Sequence, residues 1–351
     1  MTVSNTLPNP LRLIGATGSP YTRKMLALLR YRQIPYRILW GDPASVMDQL
    51  GVTKPKIAFH PTFLFVDENG QDQAQCDSTP IIRKLEAAQS ERSVIPVDPA
   101  LAFIDYLLED YGDEWCTKFM FHYRWHFEAD ADNAGTLLPL AQAPGISEEQ
   151  LQQAKAFFSE RQIGRLGFVG SNQTTAPIID ASYKRLLTLL DRHFTDYRFL
   201  LGNRPGSGDF GIFGQLTQLI GFDPTPRAIA HELAPRTVAW VGLTEDLCGL
   251  DCRAEDWLDL DQAPASLKDL LSEVGRTYVP ALLANANAIA AGEASWETEI
   301  DGALWTQQSF PYQAKCLQWI RQEFSQLSPA DQQRVQMLLS GTGCEALLID
   351  C

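Results

Sequence analysis

The sequence predicts an α/β domain over residues 8–90 followed by an all-helical part, the fold class α/β plus all-α. Three observations carry that reading. Short apolar or β-branched runs alternate with helical periodicity up to residue 90. A polar, proline-bearing stretch, SERSVIPVDP, follows at 90–99 and marks a linker. Beyond it the periodic segments repeat as helices do.

Taken in order, LRLI at 11–14 is a short apolar strand, and the turn from Gly15 to Gly18 leads into a helix over Pro20–Arg32. Met25, Leu26, Leu28 and Leu29 fit one buried face of it. Tyr36–Trp40 reads as a second strand, 43–50 as a short helix, and KPKIAFHP as a loop. TFLFV at 62–66 suits a buried strand, Asn69-Gly70 a hairpin turn, and 71–76 a fourth strand. A helix opened by Ser78 completes the order β-α-β-α-β-β-α.

Residues 98–250 form the second unit: a helix over 100–127, a loop rich in Asp, Ala, Gly and Pro at 129–146, and a helix opened by the Ser147-x-x-Gln150 capping box. Further helices are expected near 177–195, 209–220 and 236–249. Residues 251–351 read as a mostly helical extension, with periodic segments near 265–292, 311–326 and 329–340, the last entered through Ser328-Pro329.

A formal charge of −14 opposes binding to phosphate backbones and anionic lipid surfaces, and no basic patch with interleaved aromatics overrides it. Nucleic acid and membrane are excluded as expected partners. MTVSNTLPNPLRLIG has neither a basic n-region nor an apolar h-region, and no stretch reaches the roughly 20 apolar residues of a bilayer span. The expectation is a soluble, cytoplasmic protein. Seven cysteines (76, 116, 248, 252, 316, 344 and 351) are odd in number and scattered, which fits reduced thiols.

Ser19 precedes Pro20 at the head of the first long helix. A serine oxygen there accepts a backbone N–H as an N-cap while its proton stays available to a ligand, and Ser-Pro alone leaves both roles open. Asp77-Ser78 could likewise be a plain helix cap. His122 and His126 sit at i and i+4, a spacing that can chelate a metal with help from Glu128 or Asp130, but no H-E-x-x-H pattern surrounds them and a packing role is expected, with no metal. Cys248-x-x-x-Cys252 reads as two unrelated thiols. In DYGDEWCTKFMFHYRWHFE (110–128) the rings of Tyr111, Trp115, Phe121, Tyr123, Trp125 and Phe127 cannot all share one helical face, so some should line a cleft or an interface. DGALWTQQSFPYQAKCLQWIR (301–321) has the aromatic content of a lid over a cleft or of an extra outer helix.

The layout resembles the glutathione transferase superfamily, whose N-terminal domain is thioredoxin-like. SPYTRK at 19–24 looks like the active-site turn of its bacterial members, His60-Pro61 like its cis-proline turn, and Asp77-Ser78 like the acidic-Ser pair that holds the γ-glutamyl group. LLGNRPGSGDFGIFGQL resembles the Gly-x-x-x-Ser-x-x-Asp folding motif, with Gly206 where the capping Ser or Thr would stand and Ser207 one residue on. PRTVAWV at 235–241 resembles the segment after it; the likeness spans roughly residues 10–250 and says nothing about the extension.

The resemblance implies glutathione as co-substrate, with Ser19 catalytic, His60, Pro61, Asp77 and Ser78 binding the tripeptide, and an apolar electrophile as second substrate. Tyr21, Trp115, Tyr123 and Arg124 are the candidates for the second-substrate site. Ser19 and Thr22 stand where a redox turn would carry cysteines, which removes dithiol chemistry there. A thiol of pKa about 8.5 is about 3% ionised at pH 7, so lowering it by about two units requires about 2.7 kcal/mol. A helix N-terminus (about 0.3–1 kcal/mol) and one hydroxyl donor (about 1.5–3 kcal/mol) reach that size. Homodimerisation is common in that superfamily, although the extension could block or replace the usual interface. A non-catalytic binding or assembly protein with the cleft covered by the extension is the competing expectation.

Overall fold

The computed structural model describes residues 7–349, so Cys351 and the first six residues of the N-terminal reading lie outside the described residues. The α/β part runs β1 (Leu11–Gly15), α1 (Pro20–Tyr31), β2 (Tyr36–Trp40), α2 (Pro43–Leu50), β3 (Thr62–Val66), β4 (Asp72–Gln75) and α3 (Ser78–Ala88). The sheet order is β2-β1-β3-β4. β1 pairs parallel with β2, Leu13 opposite Ile38, and antiparallel with β3, Leu13 opposite Phe63; β3 pairs antiparallel with β4, Leu64 opposite Ala74. This is the thioredoxin-like order expected from the sequence.

The helical part comprises α4 (Pro99–Glu114), α5 (Cys116–His126), α6 (Glu128–Gln142), α7 (Glu148–Ile163), α8 (Ala176–His193), α9 (Ser207–Gly221), α10 (Pro224–Leu233) and α11 (Pro235–Thr244). The expected loop at 129–146 is mostly helix α6. Its polar residues serve packing rather than solvation: Asp130 is fully buried and takes the Thr225 backbone N–H and hydroxyl, and Asn133 Nδ2 donates to Phe222 O. Helix α10, which no signal predicted, starts beneath that Asp130 contact. α11 ends at Thr244, short of the expected 249.

The last hundred residues contain α12 (Ala265–Glu273), a π-helical turn (Val274–Tyr278), α13 (Val279–Ala291), strands β5 (Ser295–Ile300) and β6 (Ala303–Gln308), α14 (Pro311–Ser325) and α15 (Pro329–Leu339). The helices fall on the three periodic segments, and the hairpin lies between the first two, where no element was expected. Asp301 (φ 54°) and Gly302 (φ 75°) form its two-residue turn, both in the left-handed region that a type I′ turn requires. Trp305 and Gln307 of β6 are buried against α5, where Trp305 packs on Trp115 with centroids 5.2 Å apart and Gln307 Oε1 accepts from Lys118 Nζ at 2.9 Å.

One continuous cluster of buried side chains runs from Leu13 through Leu107 and Phe213 to Leu271, Leu317 and Val335, so the extension shares the main core. That sharing settles the aromatic stretch. Tyr111, Trp115, Tyr123 and Trp125 are all buried because the extension's Tyr278 and Trp305 cover one side while Tyr183 of α8 and Phe158 of α7 cover others.

At the centre, α9 packs against both α4 and α1. Ser207 does not cap α9 in place of the missing hydroxyl. The Asp105 carboxylate of α4 does, accepting from Ser207 N (3.0 Å), Ser207 Oγ (2.6 Å) and Gly208 N (3.0 Å), while Asp209 accepts from Gly206 N (2.9 Å) and Leu200 N (2.9 Å). Gly206 is required because a Cβ there would overlap Asp105 Oδ1. Burial pushes the Asp105 carboxyl up to about 6 against the pull of these donors.

Two outcomes follow. Asp105→Ala is expected to lower stability in denaturant by about 2–3 kcal/mol, and adding Gly206→Ser in that background to restore about 1 kcal/mol, because the hydroxyl then has room to cap. Under the extension, burial pushes Asp110, which accepts from Tyr278 Oη at 2.5 Å, up to about 7, and Glu114, which accepts from Gln313 Nε2 at 3.1 Å, up to about 8. Both bind protons in the folded chain that the unfolded chain has released, so stability falls as pH rises from the ordinary carboxylate range near about 4 through about 8. Glu114→Gln should flatten that fall, seen as a smaller drop in Tm between about pH 5 and 9 than in the wild type.

Candidate functional site

The site is built on the turn between β1 and α1. Ser19 occupies the N-cap of α1 in extended backbone geometry, with Pro20 at the first helical position, and its Oγ accepts from Thr22 N at 3.2 Å. Thr22 ties the turn from inside: it is fully buried and its Oγ1 accepts from Ala16 N at 3.3 Å. The Ser19 hydroxyl proton points toward His60 O at 3.5 Å, the long limit of a hydrogen bond. So the cap uses a lone pair on the oxygen and leaves the proton weakly held.

His60 closes the other side of the turn. The His60–Pro61 peptide is cis. The ring Nε2 lies 2.9 Å from Gly41 O, and since a carbonyl only accepts, that nitrogen carries the proton. Gly41 N in turn donates to Gly15 O at 3.1 Å, which fixes the loop against the end of the sheet.

Asp77 and Ser78 head α3. Asp77 has φ 85°, the left-handed region uncommon for a residue with a side chain, and its carboxylate makes no capping bond to its own helix. It accepts instead from Tyr312 Oη of α14 at 2.9 Å, and burial raises its carboxyl above the usual range. Ser78 Oγ accepts from Lys24 Nζ at 3.0 Å. Lys24 is fully buried and also donates to Glu109 Oε1 (2.8 Å) and Asp113 Oδ2 (2.6 Å); burial alone would depress its ammonium, but the two carboxylates hold it up at about 12. Sequence reading passed over Lys24, because a lysine on an apolar helix is normally solvent-facing.

Of the remaining candidates, Trp115, Tyr123 and Arg124 are buried and Tyr21 is partly so. Tyr21 is half-buried and donates to Asp113 O at 2.7 Å. Trp115 and Tyr123 are fully buried, with Trp115 Nε1 on Ser182 Oγ at 3.1 Å and Tyr123 Oη on Asp180 Oδ1 at 2.6 Å. Arg124 is buried behind the turn: it pairs with Asp223, donates to Gln218 Oε1 at 2.8 Å, and its Nη1 holds Gly18 O at 2.8 Å. It therefore braces the Ser19 turn rather than lining a cleft.

His122 is buried with Nδ1 on Ser171 Oγ at 2.8 Å, and its ring stacks on the exposed His126 with centroids 4.5 Å apart. Among the described residues no group of three or more metal-capable side chains comes together. Cys76, Cys116, Cys248, Cys252, Cys316 and Cys344 are free thiols. No helix of the described residues is long and apolar enough to cross a membrane.

Comparison with known proteins adds a family match for the α/β part. Residues 13–93 match the family described as Glutathione S-transferase, N-terminal domain. No curated protein matches the chain. Among solved structures it is similar to a glutathione S-transferase from Rhodospirillum rubrum F11, at 16% identity over 71% of this chain and 96% of that one, TM-score 0.40. It is also similar to a glutathione transferase family member from Pseudomonas fluorescens pf-5 with two glutathione bound, at 16% identity over 76% and 93%, TM-score 0.39. FzlA from C. crescentus is similar at 14% identity over 68% and 89%, TM-score 0.40. The sheet order, the cis-proline turn and the serine-capped first helix all fall within the stretch of the family match, so residues 13–93 are similar to a glutathione S-transferase N-terminal domain in sequence and carry its thioredoxin-like layout.

Proposed function

We propose that the cleft headed by Ser19 binds glutathione and activates its thiol, as thiolate, for attack on an apolar electrophilic small molecule. The observation that carries this reading is the state of the Ser19 hydroxyl: its oxygen is committed to Thr22 N, while its proton has only a 3.5 Å contact with His60 O. A sulfur placed beside it is a better acceptor than that distant carbonyl. The helix N-terminus and one donor to a charged sulfur together contribute about 2–4 kcal/mol, which matches a depression of about two pKa units.

The tripeptide lies along the backbone of His60 and Pro61, with its γ-glutamyl end at Asp77 and Ser78. Lys24 donates to Ser78 Oγ at 3.0 Å, which turns that hydroxyl's proton, otherwise held only at 3.4 Å by Asp113 Oδ2, to the γ-glutamyl carboxylate. Substitution, ether cleavage, dehalogenation and isomerisation share the same first step, thiolate attack, and all are open to this arrangement. The bond from Tyr312 to Asp77 favours a second reading, a non-catalytic protein of the same fold whose cleft the extension keeps covered.

The deciding experiment follows the ultraviolet thiolate band of glutathione with pH in the presence of the wild type and of Ser19→Ala. The expected midpoint lies about two units below that of free glutathione with the wild type and returns toward it with the variant. Bound glutathione with an unshifted midpoint would move the assignment to the non-catalytic reading. A further outcome concerns the brace behind the turn: Arg124→Met leaves the Asp223 carboxylate buried and unpaired, so it should cost about 3–5 kcal/mol in a denaturant titration and weaken glutathione binding.

A further inference from the structure

Asp77 already has a ligand. The extension enters α14 at Pro311, and the next residue, Tyr312, donates its phenol proton to Asp77 Oδ2 at 2.9 Å. Its neighbours are anchored independently. Asn285 of α13 holds both backbone groups of Phe310, donating to its carbonyl at 2.9 Å and accepting its N–H at 2.8 Å, while Gln313 donates to Glu114 Oε2 at 3.1 Å. The start of α14 is therefore fixed whether or not Tyr312 touches Asp77. The tyrosine is half-buried, with its ring edge against Trp319 at a centroid distance of 5.9 Å, so rotating one side chain frees the carboxylate without detaching the helix.

We propose that Tyr312 is an internal competitor for the Asp77 carboxylate, which an incoming ligand must displace with an ammonium group. The inference rests on the reading of Asp77 as the anchor of the γ-glutamyl amine. The phenol bond carries charge on the carboxylate alone, whereas an ammonium adds the Coulomb attraction of its own opposite charge, so the ammonium wins the exchange. The net gain is reduced by the phenol bond that is lost. Ligands that carry a free α-amino group at the γ-glutamyl end are thereby selected over those in which it is blocked, because only the former can replace the tyrosine. The extension thus sets both the affinity and the amine requirement of the cleft, from a residue far outside the α/β domain.

The test measures binding of glutathione and of N-acetylglutathione to the full-length wild type, Tyr312→Phe and Asp77→Asn by calorimetry. Tyr312→Phe is expected to bind glutathione roughly five- to tenfold tighter, with N-acetylglutathione unchanged. In the wild type, added glutathione should change tryptophan emission, and Trp319→Phe should remove that change, which reads the displacement without altering Tyr312. Unchanged or weaker glutathione binding in Tyr312→Phe, or an emission signal indifferent to Trp319, overturns the competitor and leaves the glutathione site standing. If neither the wild type nor Tyr312→Phe binds glutathione, the reading of the site fails and takes the competitor with it.

Discussion

A buried ammonium ties the α/β part to the helices around it. Lys24 Nζ of α1 reaches Ser78 on α3 and both Glu109 and Asp113 on α4, at 3.0, 2.8 and 2.6 Å. Burying three charges is expensive unless each is paired, so these three elements can pack only in the arrangement that satisfies all of them together. The consequence reaches the site, because α1 carries Ser19, α3 carries Asp77 and α4 packs directly on α9. The two carboxyls shift in opposite directions: Lys24 and the neighbouring Arg83 draw Glu109 down against its burial, while burial dominates at Asp113 and lifts it.

A second constraint works one turn earlier on α4. There Asp105 takes over the capping of α9 from a hydroxyl that the local sequence lacks. The capping function is kept and its source is moved from the adjacent residue to a neighbouring helix, which also locks α4 to α9. Close approach is part of the same device: a Cβ at Gly214 of α9 would come within 2.6 Å of Pro20 O, at the start of the helix that Ser19 caps. The turn that presents Ser19 is thus held by α9 below, by Arg124 behind and by His60 opposite.

Much of this was legible in the sequence, and the legible part has a common character. The element order of the first ninety residues and the cap at Ser19 follow from patterns a few residues long, while the thioredoxin-like sheet, the cis turn at His60-Pro61 and the place of Asp77 and Ser78 come from the family resemblance that those patterns carry. What escaped depends on partners far away in the chain. Helix α6 looks like a loop because Asp130 and Asn133 are polar, and only their contacts with Thr225 and Phe222 make that polarity structural. Arg124 reads as a cleft residue until Asp223 and Gly18 are seen around it. Tyr312 lies 235 residues from Asp77, beyond any local pattern. The hairpin is the exception: Asp301-Gly302 between WETEI and ALWTQQ is a local turn signal that the helical periodicity of its surroundings obscured.

The hairpin also explains why the chain can carry so aromatic a helix. Trp305 covers Trp115, and Gln307 meets Lys118 in a place dry enough for burial to bring that lysine down to about 7. Helix α5 and strand β6 are therefore two halves of one hydrophobic joint, although nearly two hundred residues separate them. In any chain of this fold without the last hundred residues, the surface at Trp115 and Lys118 would face water and favour small or hydrophilic side chains instead. Positions 115, 118, 305 and 307 should accordingly drift as a group across descendants of this sequence. Their joint history would record when the extension became part of the core.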